Sequence, residues 1–180
     1  MKRLMVLLTV LLSLGGAGAA GATSTTRATT SDAVAQSERA AAIAPLKVPK
    51  LGINGAKIIP VGLTSRGQLA VGPSVSAVYT WNNGVRPGQP GSAVIAGHTW
   101  SKGPGVFDNL GTLRVRDRFS VGRSVFVVTR VRKVQALGPR DVRELFSDKG
   151  PSRVVLITCG NRSATTGVYT SRILVYADKV

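Results

Sequence analysis

The sequence predicts a mainly β protein, a closed or nearly closed barrel of about eight short strands with two or three small helices. Three observations lead there. From Pro45 onward, short apolar runs alternate with clusters of Gly, Pro and Asn, the texture of strands joined by tight turns. Aromatic residues make up only 5% of the chain, so Val, Leu, Ile and Ala must fill the interior. A length of 180 residues with 43% apolar content supports one ordinary domain with a real core, plus a leader and a tail. Many short strands of this kind close into a barrel; a two-sheet sandwich is the alternative.

The elements follow in order. LKVPKLGINGAKIIPVGL predicts a strand, a turn at Asn54-Gly55 and a second strand. GQLAVG predicts a short strand, and SVSAVYTW a helical turn. NNGVRPGQPG is saturated with turn residues and predicts a loop, after which SAVIAGHTW is a buried strand ending at His98. GVFDNLGTL predicts one or two helical turns with Leu110 and Leu113 facing inward. RFSVGRSVFVVTRVRKVQAL supplies two strands bent at Gly122-Arg123. PRDVRELFS is a helix, with Pro139 early and Val142, Leu145 and Phe146 at helical spacing. SRVVLITC and SRILVYADK are the last two strands.

The N-terminus, MKRLMVLLTVLLSLGGAGAAGA, has two basic residues, an apolar run and then small residues, the order of an export signal. Residues 1–22 are therefore a signal peptide, with a small-x-small cleavage pattern at Ala20-Gly21-Ala22, or a retained membrane anchor. A spanning helix needs roughly 20 apolar residues, which this run barely supplies. Either way the folded part lies outside the cytoplasm: on the outer face of the membrane or in the cell wall, or secreted if the leader is cleaved. Residues 23–45, rich in Ala, Thr and Ser, have the composition of a flexible linker with a short helix available in AVAQSERAAAIA, and residues 46–180 form the folded domain.

Charge is one-sided, 24 Lys and Arg against 8 Asp and Glu for a formal +16. Nucleic acid is the first partner such a balance suggests. The basic residues are scattered, stacking aromatics are few, and no nucleic-acid motif is present, so nucleic acid is excluded in favour of a solubility charge or weak attraction to an anionic envelope.

The chain holds one cysteine and one histidine. An exported domain with a single cysteine forms no internal disulfide, so the thiol is either inert and buried or kept for chemistry. Cys159, in VVLITCG, and His98, in VIAGHTW, both end strongly apolar strands, and each adjoins a glycine. Nucleophilic cysteine chemistry needs a thiolate, a proton carrier and an oxyanion donor. A free thiol has a pKa of about 8.5, and histidine is the side chain that titrates nearest neutrality. Parallel neighbouring strands would present both residues at one rim. Thirteen residues after Cys159, Arg172 opens the next strand, where a hairpin-like return brings a guanidinium beside the thiol.

The stretch from Leu46 to Val180 resembles the sortases, cysteine transpeptidases of Gram-positive cell surfaces, through AGHTW, LITCG and TGVYTSRILVYA. Through PGQPGSAVIAGH and GPGVFDNL it looks most similar to the small sortases of high-GC Gram-positive bacteria, the class E/F-like group. The resemblance implies a sortase-type barrel of about eight strands and three catalytic residues, His98, Cys159 and Arg172. It implies that Cys159 attacks an LPXTG-like sorting signal between Thr and Gly to form a thioester. Arg172 then steadies the substrate and oxyanion, and His98 shuttles the proton. The implied partners are sorting-signal substrate proteins, an amine acceptor from a peptidoglycan precursor or pilin, and the membrane through an uncleaved leader. Some members hold calcium between carboxylates; the eight acids here do not cluster, so the expectation is no calcium, no other metal and no cofactor. Arg162, just after LITCG, is a second cation near the thiol. The matching position in TGVxxxR favours Arg172. Two rival functions stay open: a cysteine hydrolase of the envelope that resolves the same thioester with water, and a non-enzymatic basic wall-binding module.

Overall fold

The computed structural model describes residues 43–99 and 103–180. The leader and nearly all of the linker expected from the sequence, together with Trp100 of the AGHTW motif, lie outside the described residues.

Nine strands form one sheet. In chain order they are β1 (Leu46–Val48), β2 (Ile53–Ala56), β3 (Ile58–Val61), β4 (Val78–Trp81), β5 (Ser92–Gly97), β6 (Arg118–Val121), β7 (Ser124–Val134), β8 (Arg153–Arg162) and β9 (Tyr169–Lys179). One α-helix, α1 (Pro139–Leu145), and two 3-10 turns (Pro49–Leu51 and Leu110–Thr112) complete the described elements. The strand order is β2-β1-β6-β7-β9-β8-β5-β4-β3. Its two ends, β2 and β3, are separated in the chain by Lys57 alone, so the sheet closes on itself covalently. This is a nearly closed barrel, not the sandwich.

Two pairings are parallel, β3 with β4 and β5 with β8, and the rest are antiparallel. Alternation along the strands separates two apolar layers. Leu46, Val48, Ile95, Phe119, Phe126, Val128, Val154, Leu156, Val175 and Ala177 turn into the barrel. The cross-strand partners Phe119 and Phe126 stack there with centroids 5.5 Å apart. Val94, Val155, Leu174 and Tyr176 face outward and are covered by Leu145 of α1. A seven-residue helix has little stability of its own. It is held by the fully buried Leu145, worth about 1.5–3 kcal/mol, and by Asp141, which accepts the Gly138 N–H at 3.0 Å and an Arg132 N–H at 2.8 Å.

Several local expectations are corrected. Asn54-Gly55 lies within β2. The chain reverses earlier, through Pro49–Leu51 and Gly52, whose φ of 69° is left-handed. Gly55 is instead the extra residue of a bulge, since Leu46 faces Ala56 while Lys47 faces Asn54. GQLAVG forms only one bridge, Leu63 to Leu69. SVSAVYTW is not a helical turn: Val78–Trp81 is β4, hydrogen-bonded between β3 and β5. The alternatives β-branched and aromatic in VYTW suit a pleated surface, and pairing on both sides decides it. In α1 only Leu145 is buried; Val142 and Phe146 are exposed, with Phe146 edge-on to Trp81 at 5.9 Å.

Candidate active site

The parallel pairing of β5 with β8 runs from Ser92 opposite Arg153 to Ala96 opposite Ile157. Continued two residues, this register sets His98 level with Cys159. On the other side, antiparallel β9 places Arg172 directly opposite Cys159. Alternation fixes the face. Val155 and Ile157 precede Cys159 on the outward side of β8, Leu174 and Tyr176 follow Arg172 on that side of β9, and Val94 precedes His98 on β5. The three residues singled out in the sequence thus form one row across three neighbouring strands, on the outer face, at one end of the smaller apolar layer. All three side chains are partly exposed.

The two adjoining glycines serve packing. Gly97 and Gly160 face inward, so His98 and Cys159 face out. A Cβ on Gly97 would sit 2.4 Å from the Phe107 ring, and one on Gly160 would meet Ser171 Oγ at 2.9 Å and Ile173 at 3.0 Å. Phe107 also donates its backbone N–H to the His98 carbonyl at 3.0 Å, fixing the strand end from below.

Five residues outside the predicted catalytic set hold the row. His98 Nε2 donates to the Gly72 carbonyl at 2.7 Å, which leaves Nδ1 as the nitrogen open to other partners. The Tyr79 ring meets the imidazole edge-on, with centroids 6.1 Å apart. Its hydroxyl accepts the Ser74 N–H at 2.9 Å, clamping the segment that carries Gly72. Gly72 is needed in that position because a Cβ there would lie 2.9 Å from the Tyr79 ring. Thr99 Oγ1 lies 2.7 Å from Thr158 Oγ1 and donates to the Cys159 carbonyl at 2.9 Å, while the Thr158 hydroxyl donates to the Gly97 carbonyl at 2.7 Å. Tyr169 OH closes the set by donating to the Thr99 carbonyl at 3.1 Å. The ends of β5, β8 and β9 are therefore laced together by side-chain to backbone bonds immediately beside His98 and Cys159.

The two arginines differ. Arg172 is not at the start of its strand, since β9 begins at Tyr169, and Arg162 ends β8 rather than lying in a loop. Both strands extend past the apolar runs because Asn161 and Thr170 bond side chain to side chain at 2.7 Å and keep the ladder paired. Arg172 donates Nη1 to the Ser171 carbonyl at 2.9 Å. The Arg162 guanidinium lies over Gly167 in the following loop, where a Cβ would come within 2.9 Å of it. Among the described residues no group of three or more His, Cys, Asp or Glu is placed to hold a metal ion.

Comparison with known proteins accords with this barrel. The sortase domain family model matches residues 46–180. No curated protein matches the chain. Among solved structures the chain is similar to the SrtA sortase from Actinomyces oris, at 24% identity and TM-score 0.56 over 77% of this chain and 79% of that one. It is similar to sortase C-1 from Actinomyces oris, at 26% identity and TM-score 0.57 over 76% and 71%. It is also similar to sortase A from Corynebacterium diphtheriae, at 23% identity and TM-score 0.56 over 77% of this chain and 60% of that one. A family match across three quarters of the chain, on a barrel of this topology, establishes that the chain belongs to the sortase family of cysteine transpeptidases.

Proposed function

We propose that this transpeptidase cleaves an LPXTG-like sorting signal between Thr and Gly and transfers the acyl group to an amine of the cell wall or of another surface protein. The Cys159 thiolate attacks the threonyl carbonyl carbon. The C–N bond breaks as imidazolium His98 gives its proton to the departing glycyl amine, leaving a thioester. The acceptor amine then loses its proton to His98, attacks the thioester and expels the thiolate. Arg172 donates to the oxyanion and to the substrate backbone, where a planar fork of donors outperforms a point charge. The outer face of the membrane or the wall is the place of action, with residues 1–22 and 23–45 acting as leader or anchor and as stalk.

The observation that supports this reading is the single row of His98, Cys159 and Arg172 across β5, β8 and β9. Its test is mass spectrometry of the protein mixed with an LPXTG-type peptide and triglycine. The expected result is a thioester on Cys159 and a ligated peptide. An adduct that yields only the free acid points to a hydrolase, and no adduct on Cys159 overturns the proposal.

A further inference from the structure

At the opposite ends of β5 and β8 lies a cleft. The cleft, of about 530 Å³, is lined by Ser92 at the start of β5, Arg153 at the start of β8, Arg140, Arg143, Glu144 and Ser147 on one side of α1 and just beyond it, and Lys149–Pro151. Residues 140, 143, 144 and 147 follow helical spacing, so one stripe points into it. The segment after α1 is fixed over the strand starts by Ser92 N–H to Ser147 carbonyl at 2.8 Å and Gly91 N–H to Gly150 carbonyl at 2.9 Å.

The charges do not cancel. Glu144 is paired with Arg130 of β7 and lies 3.9 Å from Arg153, and Arg153 is paired with Asp178 at 2.9 Å. Asp141, beside Arg140 in sequence, is committed to Arg132. Asp148 is not among the lining residues. Arg140, Arg143 and Lys149 form no ion pair among the described residues, Arg140 acting only at longer range on Asp141, so three cations face one cleft.

A second observation is independent of charge. Ser92 is 4% exposed, and its Oγ has no hydrogen-bond partner among the described residues. Ser92 precedes Val94 by two residues on β5, and Val94 packs with Leu145, so the Ser92 hydroxyl is turned toward α1 and the cleft. A buried polar atom without a partner costs stability; the oxygen is closed to solvent in the ligand-free chain, so a ligand oxygen satisfies it only as the segment over it shifts.

We propose that this cleft binds a phosphate-bearing ligand. A carboxylate would answer one of the three cations. A phosphate group brings a charge of about −1.5 to −2 and three acceptor oxygens matched to guanidinium forks, and the volume admits a group of two or more phosphates. The site is separate from the catalytic row: six steps along β8 lead from Arg153 to Cys159, about 20 Å at strand rise.

The test is isothermal titration of the full chain with pyrophosphate. Wild type should bind saturably. The triple variant Arg140→Ala, Arg143→Ala, Lys149→Ala should bind about a thousandfold more weakly, at roughly tenfold per cation. The control variant Lys47→Ala, Arg66→Ala, Arg118→Ala loses the same charge from exposed positions elsewhere and should bind within about threefold of wild type. Ser92→Ala should weaken binding about three- to tenfold while leaving the ligand-free Tm unchanged or raised, because an orphaned hydroxyl has been removed. Repeating the titration with polyphosphate and with phosphatidylglycerol vesicles tells a phosphate polymer from a lipid headgroup. Absence of saturable binding, or equal weakening in the two triple variants, overturns the proposal.

Discussion

The two ends of the β5–β8 pair are built on opposite principles. At the end that carries His98 and Cys159, side chains are tied to backbone by hydrogen bonds: Nε2 to Gly72, Thr99 to Cys159, Thr158 to Gly97, Tyr169 to Thr99. At the other end, long charged side chains meet in ion pairs with 31–38% of their side-chain surface exposed, and three cations form no ion pair among the described residues. Backbone-anchored bonds fix position; exposed ion pairs contribute little stability and much field. The parallel register lets one pair of strands serve both, because a strand end can be locked without constraining the end about 20 Å away.

Five substitutions sharpen or break that contrast. The largest effect is expected from Cys159→Ala, which should abolish thioester formation and peptide cleavage while leaving circular dichroism and Tm near wild type. Normal turnover in that variant would end the catalytic reading of the row. Next comes Arg172→Lys. If charge alone mattered, lysine would serve; if the fork of donors matters, turnover should fall on the order of 100- to 1000-fold without loss of fold. Arg162→Lys, whose guanidinium lies over Gly167, should stay within about threefold, and a reversal of the two results would reassign the arginine. Third, Gly97→Ala forces a methyl group into the Phe107 ring and should cost about 1–3 kcal/mol in urea denaturation. Because Phe107 also bonds the His98 carbonyl, turnover should drop beyond what lost folding explains.

The smallest effect belongs to the basic end. The Arg132 guanidinium, with help from the Gly138 N–H, holds the Asp141 carboxyl below its usual range. A depressed carboxylate contributes stability that is present above its unfolded pKa and lost as pH falls through the folded value. Wild type should therefore exceed Asp141→Asn in stability at neutral pH, and the gap should begin to close as pH falls below about 4. A gap unchanged from pH 7 to 3, measured by urea midpoints, would show that the helix is not anchored by this charge.

The row was legible in the sequence because its strands are. VVLIT and AVIAG are too apolar to be anything but buried, and polar residues at their ends had to surface. Parallel pairing then required only that both strands start level, as Ser92 and Arg153 do, because His98 and Cys159 each lie six positions further on. What supports the row was not legible. Gly72 and Tyr169 act on partners 26 and 70 residues away, and two of the bonds end on a backbone carbonyl that looks the same in every residue. The misplaced elements fail for a related reason. Asn54-Gly55 has the letters of a turn, but Pro49 and Gly52 reverse the chain first, and β4 is a strand because β3 and β5 flank it. The orphaned Ser92 hydroxyl is visible only once α1 is packed above it.

The closure at Lys57 governs how the molecule meets copies of itself. An open sheet of nine strands would offer two ladders of unpaired N–H and C=O groups, the usual route to edge-to-edge association and fibrils. Here those ladders belong to β2 and β3, and both are spoiled as templates: Gly55 bulges one, and Pro60 removes an amide from the other. Because a single residue joins them, they also cannot separate far without unfolding. A protease cut at Lys57 would undo that restraint, turning a self-contained cylinder into a sheet with two free margins and a tendency to assemble.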